Sequence, residues 1–558
     1  MRKRTALAFL AALAACAPEP PSPGPGGHLV VLVVIDQLPS WTFQPRSHLL
    51  TGGIRRLLDE GVTFPAAVYP YAATYTAVGH AALGTGAPPA VTGVLANEWY
   101  DRDRNLVTAA AREDRYPLLA VAPGDDGATL AGPGASPRAL RVDGVGDMVH
   151  RDAHGKVVSV SFKDRAAILS AGRHPDLAVW YDARQAAFTT STYYAAALPA
   201  WLADLARAHP IAPRLDGYVW SPRDPVLLAR ATGLPDDAPG EAAGTPFGST
   251  FPHALAATES PAKAVAATPL ADQLTIEAAL AAIDGAGLGQ RDGSDLLIIS
   301  LAANDAIGHA WGPESWESLD GLLRLDDLLG GLLQALDVRY GREGYSVLLT
   351  SDHGMAPFPE RTLAAGRPAR RVDPAEVGAA AERAARAVVG EGSWVAARRE
   401  PTLYLSLAAQ ALPAAARGRV LDAMVEAIRG IDGIGYVART DQIEGGCDGR
   451  SGTEALLCRS VAPGLSGEIV YGPRSGYILI DSDGDPDSHG SANDYDRTVP
   501  ILVRAPRVSP RLDFSAVSPL QVAPTLAALL GVSPPPAATE PPLRGFAPPE
   551  EDSPLFLP

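Results

Sequence analysis

Cysteine is scarce in this 558-residue chain: Cys16, Cys447 and Cys458 are too few for a disulfide scaffold or a closed four-thiolate metal site. Positive charge is short as well, with 47 Lys and Arg against 63 Asp and Glu and a formal charge of −16. Such a surface suits neither nucleic acid nor anionic lipid, so an anionic substrate would need positive charge supplied locally, by metals and a few basic residues. No repeat of fixed period is visible. Hydrophobic residues at 47% and charged residues at 20% exclude both disorder and a membrane bundle. The apolar run at residues 6–15 is too short to span a bilayer.

That run does resemble an export signal over residues 1–15, because Arg2, Lys3 and Arg4 precede it and Cys16 comes directly after. Leu13-Ala14-Ala15-Cys16 resembles a bacterial lipobox, which would make Cys16 the lipidated first residue of the mature chain; an ordinary cleaved signal with an incidental cysteine is the alternative. Residues 16–27 are Pro- and Gly-rich and read as a tether. The chain is therefore expected to be exported, periplasmic or membrane-anchored through Cys16 alone, and to act as a monomer. Outside the cytoplasm Cys447 and Cys458 read most simply as a disulfide stapling a loop, with a metal site as the alternative.

The length suits one large α/β domain with insertions. Residues 28–35 (HLVVLVVI), 295–301 (DLLIISL), 345–350 (YSVLLT) and 499–503 (VPILV) are apolar, β-branched runs typical of central strands covered on both faces. Helical patterns at 270–283 and 319–336 lie between them. The alternation predicts a doubly wound, mostly parallel α/β sheet over residues 28–530. Two segments read as insertions: 170–265, with a helix near 195–208, and 366–480, with helices near 374–389 and 408–428. Residues 531–558 form a Pro-rich tail expected to lie irregularly on the surface.

Ligands of open α/β sheets bind outside the carboxyl ends of the strands, so polar residues just after apolar runs are site candidates. Asp36 comes after the first run, Asn304 and Asp305 after the second, and Asp352 and His353 after the third. Alone, each is an ordinary helix cap or turn former; together they form a pattern. Asp305 and His309 are four apart, which places them on one face of a helical turn. His489 adds a further imidazole in a Gly- and Ser-rich loop before the last run. Carboxylates and imidazoles without cysteine suit a catalytic divalent metal, zinc being the best fit. Two such ions about 4 Å apart would clamp the attacking and leaving oxygens of a phosphoryl displacement. Thr74 and Thr76 precede an expected helix start, where backbone N–H groups favour an anion. N-capping is the plainer role for either threonine; metal coordination would make one a nucleophile.

The segments VVIDQL, ATYTAVGHAALGTGAPPAVTGVLANEWYDR, SFKDRAAIL, ANDAIGHAWGP, SDHGM and DSHGS, in this order, resemble the phosphate-irrepressible alkaline phosphatases of the alkaline phosphatase superfamily. These are relatives of the nucleotide pyrophosphatase/phosphodiesterases. The resemblance implies two zinc ions per chain, one held by Asp305, His309 and His489 and the other by Asp36, Asp352 and His353 with Thr76. It implies Thr76 as nucleophile, since the family's threonine stands four positions before a histidine, here His80. Asn97, Lys163 and Arg165 would contact the phosphoryl oxygens. His80 reads as structural. Gln37-Leu38-Pro39 departs from the pattern beside Asp36, and no cysteine forms the Cys-x-Pro-x-Arg motif of sulfatases, which excludes a formylglycine nucleophile.

The implied substrate is a small phosphate monoester, because two Zn²⁺, three carboxylates, Lys163 and Arg165 leave a net charge of about +2 once Thr76 ionises, a match for a dianion. A phosphodiesterase of the same fold is the runner-up. A surface lipoprotein that binds zinc or phosphate without turnover is the third reading, which the presence of Thr76 disfavours.

Overall fold

The computed structural model describes residues 27–121, 128–241, 247–399, 401–480 and 488–547. The export signal, Cys16 and all of the tether but Gly27 lie outside them. The long apolar run forms strand β1 (Gly27–Ile35), at the heart of a nine-stranded sheet. The other strands are β2 (Val62–Val68), β3 (Val157–Ser161), β4 (Leu177–Asp182), β5 (Ala187–Thr189), β6 (Gly293–Leu301), β7 (Tyr345–Thr350), β8 (Thr498–Arg504) and β9 (Arg511–Leu512). Their spatial order is β9-β2-β8-β7-β1-β6-β3-β4-β5.

β1 pairs in parallel with β6 on one side and with β7 on the other. β3 and β4 extend the parallel set, while β8 runs antiparallel to β7. Side chains of a strand alternate between faces, and both faces of β1 are apolar. Leu29, Val31, Val33 and Ile35 enter one core, whereas Val30, Leu32 and Val34 enter the other. This explains why the run is continuous instead of alternating.

Helices cover both faces: α1 (Thr76–Thr85), α2 (Asp164–Ser170), α3 (Pro269–Ala286), α4 (Ala303–Trp311) and α5 (Trp316–Tyr340). The second insertion builds a small body of its own. There α6 (Pro374–Val389) and α7 (Ala414–Arg429) pack on a four-stranded sheet whose core includes Val377, Val420, Met424 and Ile469. Arg370–Val372 pairs with Tyr477–Leu479, tying the two ends of the segment together. Helix α8 (Gly452–Ser460) comes after Cys447 and carries Cys458, and the two cysteines form a disulfide.

Four expectations need correction. The segment 170–265 is not wholly an insertion, because its first part supplies β4 and β5 to the main sheet; the run LAVWYD mixes aromatics among the aliphatics that mark the inner strands. The expected helix at 195–208 begins only at Ala200, after Pro199. The expected helix at 408–428 is two, Leu407–Gln410 and α7, because Pro413 has no N–H to continue the first helix and takes an extended ψ of 141° as the cap of α7. In the tail, Leu543 is fully buried and Phe546 nearly so, both packed into the core that contains Val30.

One carboxylate ties the layer together without touching the site. Asp326, 1% exposed on α5, accepts from Thr51 N (2.7 Å), Gly52 N (2.5 Å), Ile54 N (2.7 Å) and Arg55 N (3.2 Å), and so caps the helix Gly53–Glu60 from outside. Asp326→Ala would strand these amides. We expect it to destabilise the fold by about 3 kcal/mol, since buried unsatisfied donors cost about 1–3 kcal/mol each with partial relaxation. Chemical denaturation of variant and wild type checks this; an unchanged midpoint would contradict it.

Candidate functional site

β6, β1 and β7 are adjacent and parallel, so the residues just beyond them meet at one edge. Asp36 comes directly after β1, and Asp352 and His353 shortly after β7. α4 starts at Ala303, just beyond β6, and offers Asp305 and His309 one turn apart. His489 arrives from the loop that leads to β8. The six positions separate into two groups, Asp305 with His309 and His489, and Asp36 with Asp352 and His353. In each, the donor atoms lie within 4.8 Å of one another.

Asp305 Oδ1 lies 3.4 Å from His309 Nε2 and 3.7 Å from His489 Nε2. His353 Nε2 lies 3.4 Å from both Asp36 Oδ1 and Asp352 Oδ2, and 4.0 Å from Asp305 Oδ1 in the other group. The backbone sets the imidazole roles. His353 Nδ1 donates to Gly354 O (2.9 Å) and His489 Nδ1 to Thr74 O (2.6 Å), so each ring turns Nε2 toward its carboxylates. Asp36 Oδ1, Asp305 Oδ1 and His353 Nε2 are buried without a hydrogen-bond partner.

Three carboxylates this close are expensive to bury. Asp36 and Asp352 are fully buried and Asp305 is 4% exposed. Lys163 Nζ answers part of the charge, 2.7 Å from Asp36 Oδ2 and 2.5 Å from Asp305 Oδ2. Burial opposes the Asp305 charge, but Lys163 and then His309 and His489 outweigh it and hold its pKa well below the carboxylate range. Burial also opposes the Asp352 charge, yet His353 and His80 bring its pKa to about 2. His353 in turn resists burial through Asp352, Asp36 and Asp305, which push it up to about 9. His489 goes the other way: burial and the neighbouring His353 charge depress it. Lys163 bridges only two of the three carboxylates, and oxygen and imidazole donors in two clusters fit divalent cations.

Thr76 is the first residue of α1, and its Oγ1 is buried with no hydrogen-bond partner. Thr74 differs, because its Oγ1 donates to Ser491 O (3.2 Å). Asn97 Oδ1 accepts from Ala77 N (2.9 Å), which fixes the carboxamide at the helix start. Arg165 Nε is buried without a partner, and the guanidinium is near enough to oppose the charge on Lys163. α1 can approach the end of β7 only because residue 79 is glycine: a Cβ there would stand 2.2 Å from Asp352 O. All the residues expected from the sequence thus lie around one edge of the sheet.

The layer beneath holds His80, which the sequence reads as structural, and Asp272, which sequence reasoning missed. His80 is fully buried, with Nδ1 2.8 Å from Thr76 O and 3.2 Å from Asp352 Oδ2, and Nε2 2.8 Å from Ser300 Oγ. Asp272 on α3 accepts from Ala303 N (3.0 Å) and so fixes the start of α4; burial raises its pKa to about 7. An acid in the first turn of a helix gives no signal of this kind.

The His353 shift fixes a sign. A histidine whose pKa rises from 6.5 to about 9 on folding adds stability that is fully present below pH 6.5 and lost as pH climbs through 9. Chelator-treated protein should therefore lose thermal stability between pH 6.5 and 9.5, and Asp352→Asn should flatten that slope. Melting curves across this range test it; stability that rises with pH in chelator-treated protein would refute the reading.

Residues 30–496 match the family described as type I phosphodiesterase / nucleotide pyrophosphatase. The chain is 33% identical over 338 residues to alkaline phosphatase PafA of Elizabethkingia meningoseptica, covering 60% of each chain. It is 34% identical over 343 residues to alkaline phosphatase PhoV of Synechococcus elongatus, covering 59% of this chain and 60% of that one. It thus spans about 60% of the length of these two relatives. The crystal structure of wild type alkaline phosphatase PafA superposes with a TM-score of 0.84 at 28% identity, over 93% of this chain and 99% of that one. With the match extending from β1 to the loop before β8, the chain belongs to the type I phosphodiesterase / nucleotide pyrophosphatase family.

Proposed function

We propose that this protein is an exported, zinc-dependent phosphomonoesterase that passes the phosphoryl group of a small phosphate monoester to Thr76 and then to water. The observation that carries the reading is the buried, unpartnered Thr76 hydroxyl at a helix N-terminus beside two carboxylate–imidazole clusters. The alkaline phosphatase names of the similar proteins support it. Export and a lipid anchor at Cys16 rest on the sequence alone.

We assign Asp305, His309 and His489 to one zinc ion, and Asp36, Asp352, His353 and Thr76 to a second. Bound there, the metals would supply positive charge that favours the ionised hydroxyl and offsets charge on the leaving oxygen. The Thr76 oxygen forms a bond to phosphorus as the bond to the leaving alkoxide breaks, giving a phosphothreonine. Water then attacks phosphorus on the reverse path and Thr76 departs. Asn97 offers its Nδ2 donors, because Oδ1 is occupied by Ala77 N. Lys163 and Arg165 add cationic charge for the equatorial oxygens, and the start of α1 adds its dipole. This excess of cation favours a dianionic monoester over a diester monoanion. The family description favours the second reading, a phosphodiesterase or nucleotide pyrophosphatase.

Thr76→Ala should lower p-nitrophenyl phosphate hydrolysis by roughly 10³-fold or more, while metal analysis still finds two zinc ions per chain; Thr76→Ser should keep part of the rate. Acid-quenched turnover that traps phosphate on another residue would rule this out. Lys163→Ala/Arg165→Ala should lower monoester kcat/KM by about 10² to 10⁴, since each charge-assisted hydrogen bond is worth roughly 1.5 to 3 kcal/mol. A matched aryl diester should suffer far less. Equal losses on both substrates would favour the diesterase reading.

A further inference from the structure

The loop that delivers Thr76 does not stand alone: it leans on the second insertion. Ser460, the last residue of α8, is 2% exposed. Its Oγ accepts from Ala72 N (2.8 Å) and Ala73 N (3.2 Å), and donates to Leu456 O (2.8 Å) in its own helix. That uses the hydroxyl's one proton and both of its lone pairs. Beside it, Arg459 Nη1 donates to Pro70 O (3.4 Å), and Leu457 and Val461 pack with Ala72 and Ile443.

Immediately beyond Ala73 the chain enters the site. Thr74 O receives the Nδ1 proton of His489 (2.6 Å), Thr74 Oγ1 holds Ser491 O (3.2 Å), and Thr76 opens α1. Two buried amides of this loop are thus pinned by one hydroxyl from a segment more than 380 residues away in sequence. Cys458 lies two residues before Ser460, and its bridge to Cys447 ties α8 to the loop that precedes it.

We propose that Ser460 is a positioning residue for Thr76 and His489, and that the Cys447–Cys458 bridge acts on the reaction by holding the helix that carries it. The hydroxyl touches no reacting atom; it sets where the nucleophile's loop sits. Water or a shifted loop would replace it poorly, because the two amides are buried and would lose their acceptor together. The kinetic part of this inference rests on the phosphomonoesterase reading.

Two measurements on the full mature chain decide it. Amide hydrogen exchange on the peptide covering residues 70–76 should speed up at least about tenfold in Ser460→Ala, since the loop amides lose their acceptor. On p-nitrophenyl phosphate, kcat should fall about tenfold to hundredfold with KM within about threefold, at temperatures where circular dichroism shows the variant folded. The double variant Cys447→Ser/Cys458→Ser should lose rate in the same direction, and adding Ser460→Ala to it should cost much less than in wild type, because both act through one contact. Wild-type exchange at 70–76, or a wild-type kcat, in Ser460→Ala overturns the positioning role, as does a rate loss that only tracks the unfolded fraction. Additive losses overturn the part assigned to the disulfide. If wild type hydrolyses no monoester, the phosphatase reading falls and the exchange rates alone decide for or against Ser460.

Discussion

Three carboxylates buried within a few ångströms of one another are the constraint around which this molecule is built. Asp36, Asp305 and Asp352 stand beyond the ends of β1, β6 and β7, and the parallel pairing of those strands leaves them no way to separate. Repulsion in a dry interior would unfold the edge of the sheet unless cations met it. Lys163 bridges two of the three, and the unpartnered oxygens of Asp36 and Asp305 point to further positive charge. The proposed pair of zinc ions would provide it. An anion at the start of α1 would then be attracted by the excess charge that the carboxylates first demanded.

The surrounding structure supports this edge from outside. Asn97 leads into a hairpin whose Arg102 donates to Ser466 O (2.7 Å) and Glu468 Oε1 (2.9 Å) in the second insertion, and Tyr100 meets Tyr404 edge-on at 5.5 Å. The loop after His489 is reached too, where Ala492 N donates to Tyr436 Oη (3.2 Å) and Asn493 Nδ2 to Pro473 O (3.3 Å). With Ser460 beneath Ala72 and Ala73, three of the segments that form the site rest on one inserted body. The edge that carries the candidate site belongs to the main sheet, but its loops are placed by the insertion. Substitutions in the insertion therefore have a physical route to the proposed chemistry without touching substrate.

Parts of this were legible because they are local. The run from His28 to Ile35 could only be a strand covered on both faces, and the spacing of Asp305 and His309 could only put them on one helical face. The strands β2, β3, β4 and β5 were harder to see, being shorter, mixed with aromatics, or interrupted as at Pro65. Composition and spacing alone left Thr74 and Thr76 open, and the preference for Thr76 came only from the family resemblance, through His80 four positions on. The structure distinguishes the two hydroxyls: Thr74 Oγ1 donates to Ser491 O, and Thr76 Oγ1 has no hydrogen-bond partner.

The sequence by itself determined the strand ends, the donor types placed at each, and the absence of cysteine from that set. These come from composition and period, which act over a few residues. Which donors share a cluster, His489 with Asp305 and not with Asp36, came from the family resemblance and not from composition or period, and only the tertiary structure decided that Ser460 lies beneath a loop near residue 72. Those are pairings between residues separated by hundreds of positions. They are set by strand order and by how the insertion folds back, and no local pattern encodes either.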